Sequence, residues 1–348
     1  MRILTRPPTA KCNLPMYMRF LMSEPKSSTC TRLSEVADVS HDSVNRFLLR
    51  ETYDPKDLFN EAKTLVNIVG GTLSIDDTVL DKPYSQKMDL VRHFWSGKHH
   101  RVVKGLNLIT LYYNDPQGRG VPVNYRIYDK ADNKTKNDYF LEMLDQVIAW
   151  GLKPHYVTGD SWYSSAINLK TVKNHGLGLM FAIEQNRTVS VAKGTWAQVQ
   201  NLSIPEDGML VWLREFGQVK LFRTRLKDQA RHYIVCFPEN DNHKELFAKP
   251  EFKSLHDQHW KIEQYHRVIK QVCNIERFQV RTKVAILNHI FVALCGFFYL
   301  QKMTFENFIT NAYQWKRSLF TKAIATFIRK FLPDIKNLLP KFQKVVNA

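Results

Sequence analysis

Three stretches decide the fold: LSIDDTVLDKP at residues 73–83, YVTGDSWYSS at 156–165 and HWKIEQYHRVIKQ at 259–271. The first two begin as apolar runs rich in β-branched residues, which predicts buried strands. The third spaces its apolar residues as a helix does. Each stretch contains one acidic residue in surroundings unlike those of a solvent-exposed acid, and these three residues are the candidate catalytic groups: Asp76, Asp160 and Glu263.

The two strand carboxylates have both a functional and a structural interpretation. A charge at Asp76 inside an apolar strand is unfavourable unless it is paired or bound to a metal, and Asp160 follows a strand at the edge where α/β sheets form their sites. Alternatively, Asp77 is the inward residue, or Asp160 caps a helix. Glu184, at the end of another predicted strand, competes for the same cleft.

The predicted helix around Glu263 has one polar stripe and one apolar side. The stripe contains His256, His259, Glu263, Arg267 and Lys270, and the apolar side contains Ile262, Tyr265, Ile269 and Val272. One carboxylate therefore lies among cations. The alternative is an ordinary ion pair between Glu263 and Arg267, four residues apart on the helix.

The neighbouring segments predict a mixed α/β fold. The predicted strands are 72–79, 105–113, 121–128, 155–158 and 178–183, and the helices are 136–150 and 164–174. This order is that of a ribonuclease-H-like core, although other mixed α/β folds fit nearly as well. Further short strands at 188–191, 209–215, 218–225 and 231–237 predict a β-rich insertion, after which helical patterning continues from residue 252.

One apolar segment and the cysteines bear on location. Residues 284–300 approach the length of a membrane span, but Asn288 and His289 lie inside them, so a buried core helix is favoured over a membrane helix. Five scattered cysteines without a C-x-x-C pair favour neither a zinc site nor disulfides, which fits a reducing cytoplasm. The N-terminal residues lack the apolar run of a signal peptide.

The N-terminal 65 residues are predicted to be helical. Two short apolar patterns separated by Asp38-Val39-Ser40 indicate two helices joined by a tight turn, as in a helix-turn-helix. The second helix would expose short polar side chains that suit base edges, namely His41, Asp42, Ser43, Asn45 and Arg46. The alternative is a helical hairpin that packs on the next domain.

The charge balance indicates a polyanionic partner. The 348 residues carry a formal net charge of +17, and residues 251–348 contain 16 Lys and Arg against 6 Asp and Glu. Such an excess favours nucleic acid or an anionic membrane surface. Charge alone does not separate the two.

Together the three stretches resemble the DDE transposases of bacterial insertion sequences, and in particular the superfamily with a β-rich insertion between the second Asp and the Glu. The match runs over most of residues 70–300. The block IDDT resembles the first motif, in which the first Asp is the metal ligand, and this selects Asp76 over Asp77. The block DSWY resembles the second motif, which assigns Asp160.

The third motif of that superfamily is Tyr-x2-Arg-x3-Glu-x6-Lys. Glu263 and Lys270 keep its spacing, whereas His256 and His259 stand where Tyr and Arg are expected. Lys270 and Arg267 are the candidate phosphate contacts. A clamp at His259 would be weaker and more pH-sensitive than one at arginine, because histidine is only partly charged near neutrality.

The resemblance implies a function and its requirements. Asp76, Asp160 and Glu263 would hold two Mg²⁺ ions, with Mn²⁺ as a substitute. The enzyme would bind the terminal inverted repeats of its element, cut there, and join the 3′ hydroxyls to target DNA as a homodimer on paired ends. Trp162 and Tyr163 would stack on an unpaired base, with core packing as the alternative for at least one of them. A prokaryotic cytoplasmic location at the nucleoid, with no membrane, is expected.

The predicted domains are a helix-turn-helix unit (1–68), a core in two parts (69–185 and 241–302), the insertion (186–240) and a basic helical tail (303–348) that binds the DNA backbone. Two rival functions remain. One is a stand-alone nuclease on the same core, and the other is a DNA-binding descendant of a transposase that has lost catalysis.

Overall fold

The computed structural model describes residues 11–192, 194–226, 229–238 and 247–346, with side chains left out at 226, 229 and 331–346. The strands in this part of the chain are β1 (Thr72–Asp81), β2 (Arg92–Ser96), β3 (Arg101–Asn114), β4 (Gly120–Ile127), β5 (Tyr156–Gly159), β6 (Gly178–Ile183), β7 (Thr188–Ala192), β8 (Thr195–Gln198), β9 (Met209–Leu213), β10 (Gly217–Leu226) and β11 (Gln229–Cys236). The α-helices are α1 (Leu14–Ser23), α2 (Cys30–Val36), α3 (His41–Arg50), α4 (Pro55–Ala62), α5 (Lys136–Ala149), α6 (Ala166–Asn174), α7 (Lys249–Gln271), α8 (Lys283–Phe305) and α9 (Ala312–Val346).

The centre of the sheet has the strand order β4-β3-β1-β5-β6. β3 is antiparallel to both β1 and β4, and β5 and β6 run parallel to β1. Helices α5 and α6 supply the crossovers that parallel strands require. This is the ribonuclease-H-like core that the sequence predicts.

The register between β1 and β5 sets up the catalytic edge. Ser74 lies opposite Thr158 and Ile75 opposite Gly159, where β5 ends. The hydroxyls of Ser74 and Thr158 are hydrogen-bonded at 2.8 Å. Because side chains alternate between faces, the next residues on that face, Asp76 and Asp160, lie side by side.

The insertion strands extend the core sheet, which the sequence does not predict. β11 pairs antiparallel with β6, and the order continues through β10, β9, β7 and β8. The strand expected at 231–237 therefore belongs to the central sheet as much as to the insertion. The sequence does not predict β2 and β8 either, because RHFWS and TWAQ are too polar or too short to show apolar alternation.

Helix α8 is the predicted core helix. In the part of the chain that the structure describes, it alone is long and apolar enough to cross a membrane, but 72% of its most apolar window is buried inside the protein. Its polar residues have partners there: Asn288 Nδ2 donates to the carbonyls of Leu48 and Glu51 at 2.6 Å each. Burial in protein accounts for the apolar segment.

The N-terminal helices pack on α8, as expected for a helical hairpin that packs on the next domain. α1, α3 and α4 all contact α8, and the Tyr17 hydroxyl lies 2.9 Å from His289 Nδ1. Ser40 caps α3 by accepting from the Ser43 amide. The two-helix pattern of α2 and α3 is present, and its inner side is part of the protein core.

Candidate active site

Two carboxyl groups meet on the face of the sheet that α7 covers. Burial and the charge of Asp77 raise the pKa of Asp76 to about 7. Burial, followed by the charges of Asp76 and Asp77, raises the pKa of Asp160 to about 7. Both groups accept backbone hydrogen bonds, Asp76 from the Asp77 amide at 2.7 Å and Asp160 from the Trp162 amide at 3.0 Å. These bonds only partly offset the cost of placing two acids together.

Asp77 points to the opposite face of the sheet, where three donors hydrogen-bond to its carboxylate. Its carboxylate accepts from Lys136 Nζ at 2.7 Å, from Asn107 Nδ2 at 2.5 Å and from the Tyr163 hydroxyl at 3.0 Å. A carboxylate that accepts from three such donors stabilises the fold and is not free to bind a metal ion. The alternation of β1 therefore leaves Asp76 as the carboxylate that faces Asp160.

Helix α7 brings Glu263 to the same face. Two histidines on the helix contact the sheet on either side of it: His259 Nδ1 is 3.0 Å from Thr158 Oγ1, and His266 Nδ1 is 3.5 Å from Asp76 Oδ2. Burial, then the charge of Asp76, raises the pKa of Glu263 to about 7. The three predicted carboxyl groups thus come together from β1, β5 and α7.

His266 also lies at this site, although the polar stripe predicted from the sequence does not include it. It is buried, its Nε2 has no hydrogen-bond partner among the described residues, and burial lowers its pKa to about 3. The helix turns His266 rather than Arg267 toward the sheet, so the inner stripe runs through 259, 263, 266 and 270. The steps of four, three and four residues from His259 through Glu263 and His266 to Lys270 are the signal in the sequence.

The cations near Glu263 also differ from expectation. Arg231 of β11 and Arg267 of α7 both lower the pKa of Glu263, and Arg231 has the larger effect. Both side chains are exposed. Arg231 lies in the strand that was assigned to the insertion, so no motif pointed to it. These two arginines, rather than the histidines, supply positive charge on the open side of the site.

Burial disfavours the charged form of both predicted clamp histidines. Burial lowers the pKa of His259 to about 4, and His256 is also lowered by burial. His256 Nε2 lies 3.1 Å from the Tyr233 hydroxyl. Both rings therefore join α7 to the sheet, and burial disfavours the cationic form in which they would bind a phosphate most strongly.

Lys270 does not face the open cleft. Its Nζ donates to the Val79 carbonyl at 2.6 Å and lies 3.1 Å from Glu276 Oε1. The side chain is 17% exposed. Lys270 therefore joins α7 to β1, and its expected contact with a phosphate stays a prediction.

The two aromatic residues after Asp160 have separate roles. Trp162 is 63% exposed, and Lys136 Nζ lies 5.3 Å from its ring centre. Tyr163 is completely buried and donates to Asp77. Tyr163 is thus a core residue, which excludes it from stacking on a base, while Trp162 stays available. Glu184 is exposed and accepts from Ser161 Oγ at 2.6 Å, beside Asp160.

The predicted base-reading residues of α3 also divide into exposed and buried side chains. His41 and Arg46 are exposed, and Asn45 Nδ2 lies 3.1 Å from His41 Nδ1. Ser43 is buried, and its hydroxyl accepts from the Cys12 amide at 3.0 Å. Ser43 is therefore part of the packing of the N-terminal unit and does not read bases.

The donor set suits a hard divalent cation. Burial, together with the charges of neighbouring acids, raises the pKa values of the three carboxyl groups, and oxygen ligands favour Mg²⁺ or Mn²⁺. Among the described residues, no group of three or more acidic, histidine or cysteine side chains stands close enough to hold one ion as positioned. The chemistry of the residues fits the metal, and the ligand geometry is not formed.

Comparisons with known proteins address the fold and the family. No curated protein sequence matches the chain. A solved structure described as the piggyBac transposase synaptic complex with hairpin DNA has a TM-score of 0.51 at 12% identity, over 92% of this chain and 71% of that chain. At this identity the similarity shows the fold alone.

Two further structures are too distant to support an argument. The Drosophila P element transposase strand transfer complex has a TM-score of 0.27 at 10% identity, over 49% of this chain and 37% of its own. The NurA nuclease from Sulfolobus solfataricus has a TM-score of 0.26 at 12% identity, over 67% and 92%.

The family is established by sequence. The profile described as Transposase DDE domain matches residues 70–297. This segment is more than half of the chain and contains Asp76, Asp160 and Glu263. The protein belongs to the family of transposases with a DDE domain.

Proposed function

We propose that this protein cuts DNA at the ends of its own element and joins the freed 3′ hydroxyls to target DNA. The observation that carries the proposal is the meeting of three carboxyl groups from β1, β5 and α7, each with its pKa raised to about 7. Acids brought together at such a cost in a family of transposases are candidates for function rather than for stability.

The proposed ligands of two Mg²⁺ or Mn²⁺ ions are Asp76, Asp160 and Glu263. When bound, the ions would activate a water molecule or a 3′ hydroxyl and stabilise the leaving oxygen of an in-line displacement at phosphorus. The residues of the chain hold this arrangement together: His259 and His266 fix α7 on the sheet, and the hydrogen bond between Ser74 and Thr158 fixes the register.

Other residues would position the DNA. Arg231 and Arg267 are exposed beside Glu263 and would bind the phosphates that flank the cut. The exposed ring of Trp162, next to Asp160, would stack on an unpaired base near the cut, which is worth about 1–3 kcal/mol. Tyr163 is not available for this role because it is buried.

The N-terminal and C-terminal helices would bind DNA outside the site of cutting. Helix α3 would read the terminal inverted repeats with His41, Asn45 and Arg46, and the exposed cations of α9, including Arg317 and Lys322, would bind the backbone. Lys341 and Lys344, two further cations of the basic tail, lie outside the residues whose side chains the structure describes. A homodimer on paired ends, in a prokaryotic cytoplasm at the nucleoid, completes the proposal.

A strand-transfer assay tests the function. Duplexes made from the DNA that borders the reading frame are incubated with a plasmid target and Mg²⁺. We expect an end-specific joined product from the wild type and none from Asp76→Ala, Asp160→Ala or Glu263→Ala. Glu184→Gln is the matched control, because it removes an exposed carboxylate from the same sheet edge, and it should retain activity.

The same assay separates the rival functions. Cutting without end specificity or joining would indicate a stand-alone nuclease. Equal inactivity of the wild type and all variants, with end-specific binding retained, would indicate a DNA-binding descendant. Full activity of any one of the three alanine variants would remove that residue from the site.

A further inference from the structure

The edge turn, residues 160–164, leads the chain out of β5 and into the layer of helices on the far side of the sheet. At its start, the Asp160 carboxylate accepts from the Trp162 amide at 3.0 Å. Three residues later, Tyr163 is completely buried and packs against Phe140 of α5. The edge turn therefore carries a proposed metal ligand at one end and a core side chain at the other.

Backbone pairing does not fix Asp160 relative to Asp76. The ladder between β5 and β1 ends at the pair of Gly159 and Ile75, one residue before both carboxylates. The ladder between β5 and β6 ends at the same residue, Gly159, opposite Phe181. Asp160 thus lies just beyond the last paired residue of β5, and its distance from Asp76 depends on side-chain contacts of the edge turn.

One such contact connects the edge turn to β1 on the face opposite the carboxylates. The Tyr163 hydroxyl donates to Asp77 Oδ1 at 3.0 Å. Asp77 follows Asp76 directly, and its backbone is fixed in the sheet opposite Ile109 of β3. The hydrogen bond between Tyr163 and Asp77 therefore joins the same two segments that present Asp160 and Asp76 on the other face.

Two further contacts hold the edge turn from the helices. Lys136 Nζ, in the first turn of α5, donates to Asp77 Oδ2 at 2.7 Å and lies 5.3 Å from the ring centre of Trp162. Asn168 Nδ2 of α6 donates to the Tyr163 carbonyl at 2.9 Å. A connected set of buried hydrogen bonds restricts the position of a turn more closely than solvent-exposed contacts do.

We propose that Tyr163 is a positioning residue, whose hydrogen bond to Asp77 sets the distance between Asp160 and Asp76 and thereby the affinity of these carboxylates for a divalent metal ion. Removal of an outer contact that orients a metal ligand typically costs about 10–100-fold in affinity. Tyr163 acts through Asp77 and the edge turn, without contact with DNA. The inference rests on the proposed function, because it takes Asp76 and Asp160 as metal ligands.

The test compares two buried tyrosine hydroxyls. Tyr163→Phe removes one and keeps the ring. Tyr113→Phe is the matched control, because Tyr113 is also completely buried and its hydroxyl accepts from the Gly71 amide, also at 3.0 Å, before the start of β1. Electron paramagnetic resonance of free Mn²⁺ measures metal binding to the full-length protein, with and without a duplex from the bordering DNA. We expect Tyr163→Phe to bind Mn²⁺ about tenfold more weakly and Tyr113→Phe to match the wild type.

A second variant isolates the hydrogen bond from general loss of stability. Asp77→Ala removes the acceptor, so Tyr163→Phe in that background should lower Mn²⁺ affinity by less than about twofold. Urea unfolding of Tyr163→Phe and Tyr113→Phe shows whether the two variants lose similar stability. In cleavage assays, the half-saturating Mg²⁺ concentration should rise about tenfold in Tyr163→Phe, whereas the rate at saturating Mg²⁺ should stay within about threefold of the wild type.

Each result decides the inference. Unchanged Mn²⁺ affinity in Tyr163→Phe, equal losses in Tyr163→Phe and Tyr113→Phe, or a full tenfold loss in the Asp77→Ala background overturns it. If the wild type cuts and joins DNA while Tyr163→Phe binds Mn²⁺ normally, the positioning role alone fails. If Mn²⁺ affinity depends on Tyr163 but no DNA is cut or joined, the proposed function fails and the positioning role stands. Absence of saturable Mn²⁺ binding by the wild type, with or without the duplex, overturns both.

Discussion

Asp76 and Asp77 are chemically identical neighbours on β1, yet they lie in opposite environments. Asp77 faces a lysine, an amide and a phenol, which donate to it. Asp76 faces Asp160 and Glu263, and burial raises its pKa to about 7. The pleat of one strand, which sends successive side chains to opposite faces, separates a carboxylate that stabilises the fold from one that is available for chemistry.

The largest effect on strand cleavage is expected from substitution of Asp76. Asp76→Asn keeps the oxygen that accepts from the Asp77 amide but removes the charge, so strand cleavage should fall at least about 10³-fold. Measured by single-turnover cleavage with Mg²⁺, residual activity near the wild-type level would show that Asp76 is not a reacting ligand.

The same substitution should stabilise the protein without metal. The pKa of Asp76 is raised above its ordinary 3.8 in the folded state, so its contribution to stability is present below about pH 4 and is lost as the pH rises through 7. Asp76→Asn should therefore exceed the wild type by on the order of 1–3 kcal/mol at pH 8 and match it near pH 4. Chemical denaturation in EDTA at both pH values measures this difference.

The structural member of the pair should behave in the opposite way. Asp77→Ala leaves Lys136, Asn107 and Tyr163 without their shared acceptor, which should cost about 2–4 kcal/mol of unfolding free energy. Asp145→Ala removes an exposed partner of His175 and, as the control, should cost less than about 1 kcal/mol. Equal losses in the two variants would contradict the assignment of Asp77.

A buried histidine, His289, also makes the stability of the protein depend on pH. His289 is completely buried against the Tyr17 hydroxyl, and burial lowers its pKa to about 3. The unfolded chain binds a proton near pH 6.5 and the folded chain does not, so stability present above that pH is lost progressively toward pH 3. His289→Gln should reduce this loss by about 1.4 kcal/mol per pH unit.

Urea unfolding at several pH values between 4 and 7 measures the slope for His289→Gln. His41→Gln, at an exposed position of α3, is the control and should keep the slope of the wild type. An unchanged slope in His289→Gln would show that the buried ring does not stay neutral while the unfolded chain takes up its proton.

The smallest effect separates the roles of Lys270 and Arg231. Lys270→Ala removes the link from α7 to the Val79 carbonyl and should cost about 1–2 kcal/mol of stability without changing the salt dependence of DNA binding. Arg231→Ala should leave stability unchanged and reduce that salt slope by about 1. Filter binding over a range of NaCl concentrations measures both variants, and the reverse result would restore Lys270 as the phosphate contact.

The core could be predicted because its signals are local. Strand β1 combines β-branched residues with the adjacent acids Asp76 and Asp77, and the crossover helices begin at capping residues such as Thr135 and Ser165. The motif resemblance added the choice of Asp76 over Asp77, and the structure places Asp76 on the face that Asp160 and Glu263 share.

The rest could not be predicted because it depends on tertiary contacts. Which arc of α7 faces the sheet is decided by packing, so Arg267 was expected where His266 lies. Arg231 reaches the site only because β11 pairs with β6. Burial, rather than residue type, makes His259 neutral, and no sequence pattern reports the environment of a single ring.

The pairing of Ser74 with Thr158 has a consequence for how this site can evolve. A shift of β5 by one residue along β1 would turn its side chains to the other face, and a shift of two would move Asp160 by about 6.6 Å. The distance between the two strand carboxylates can therefore change only in steps of two residues. Fine adjustment of the site is left to Glu263, because a helix can slide and rotate over a sheet by fractions of an ångström.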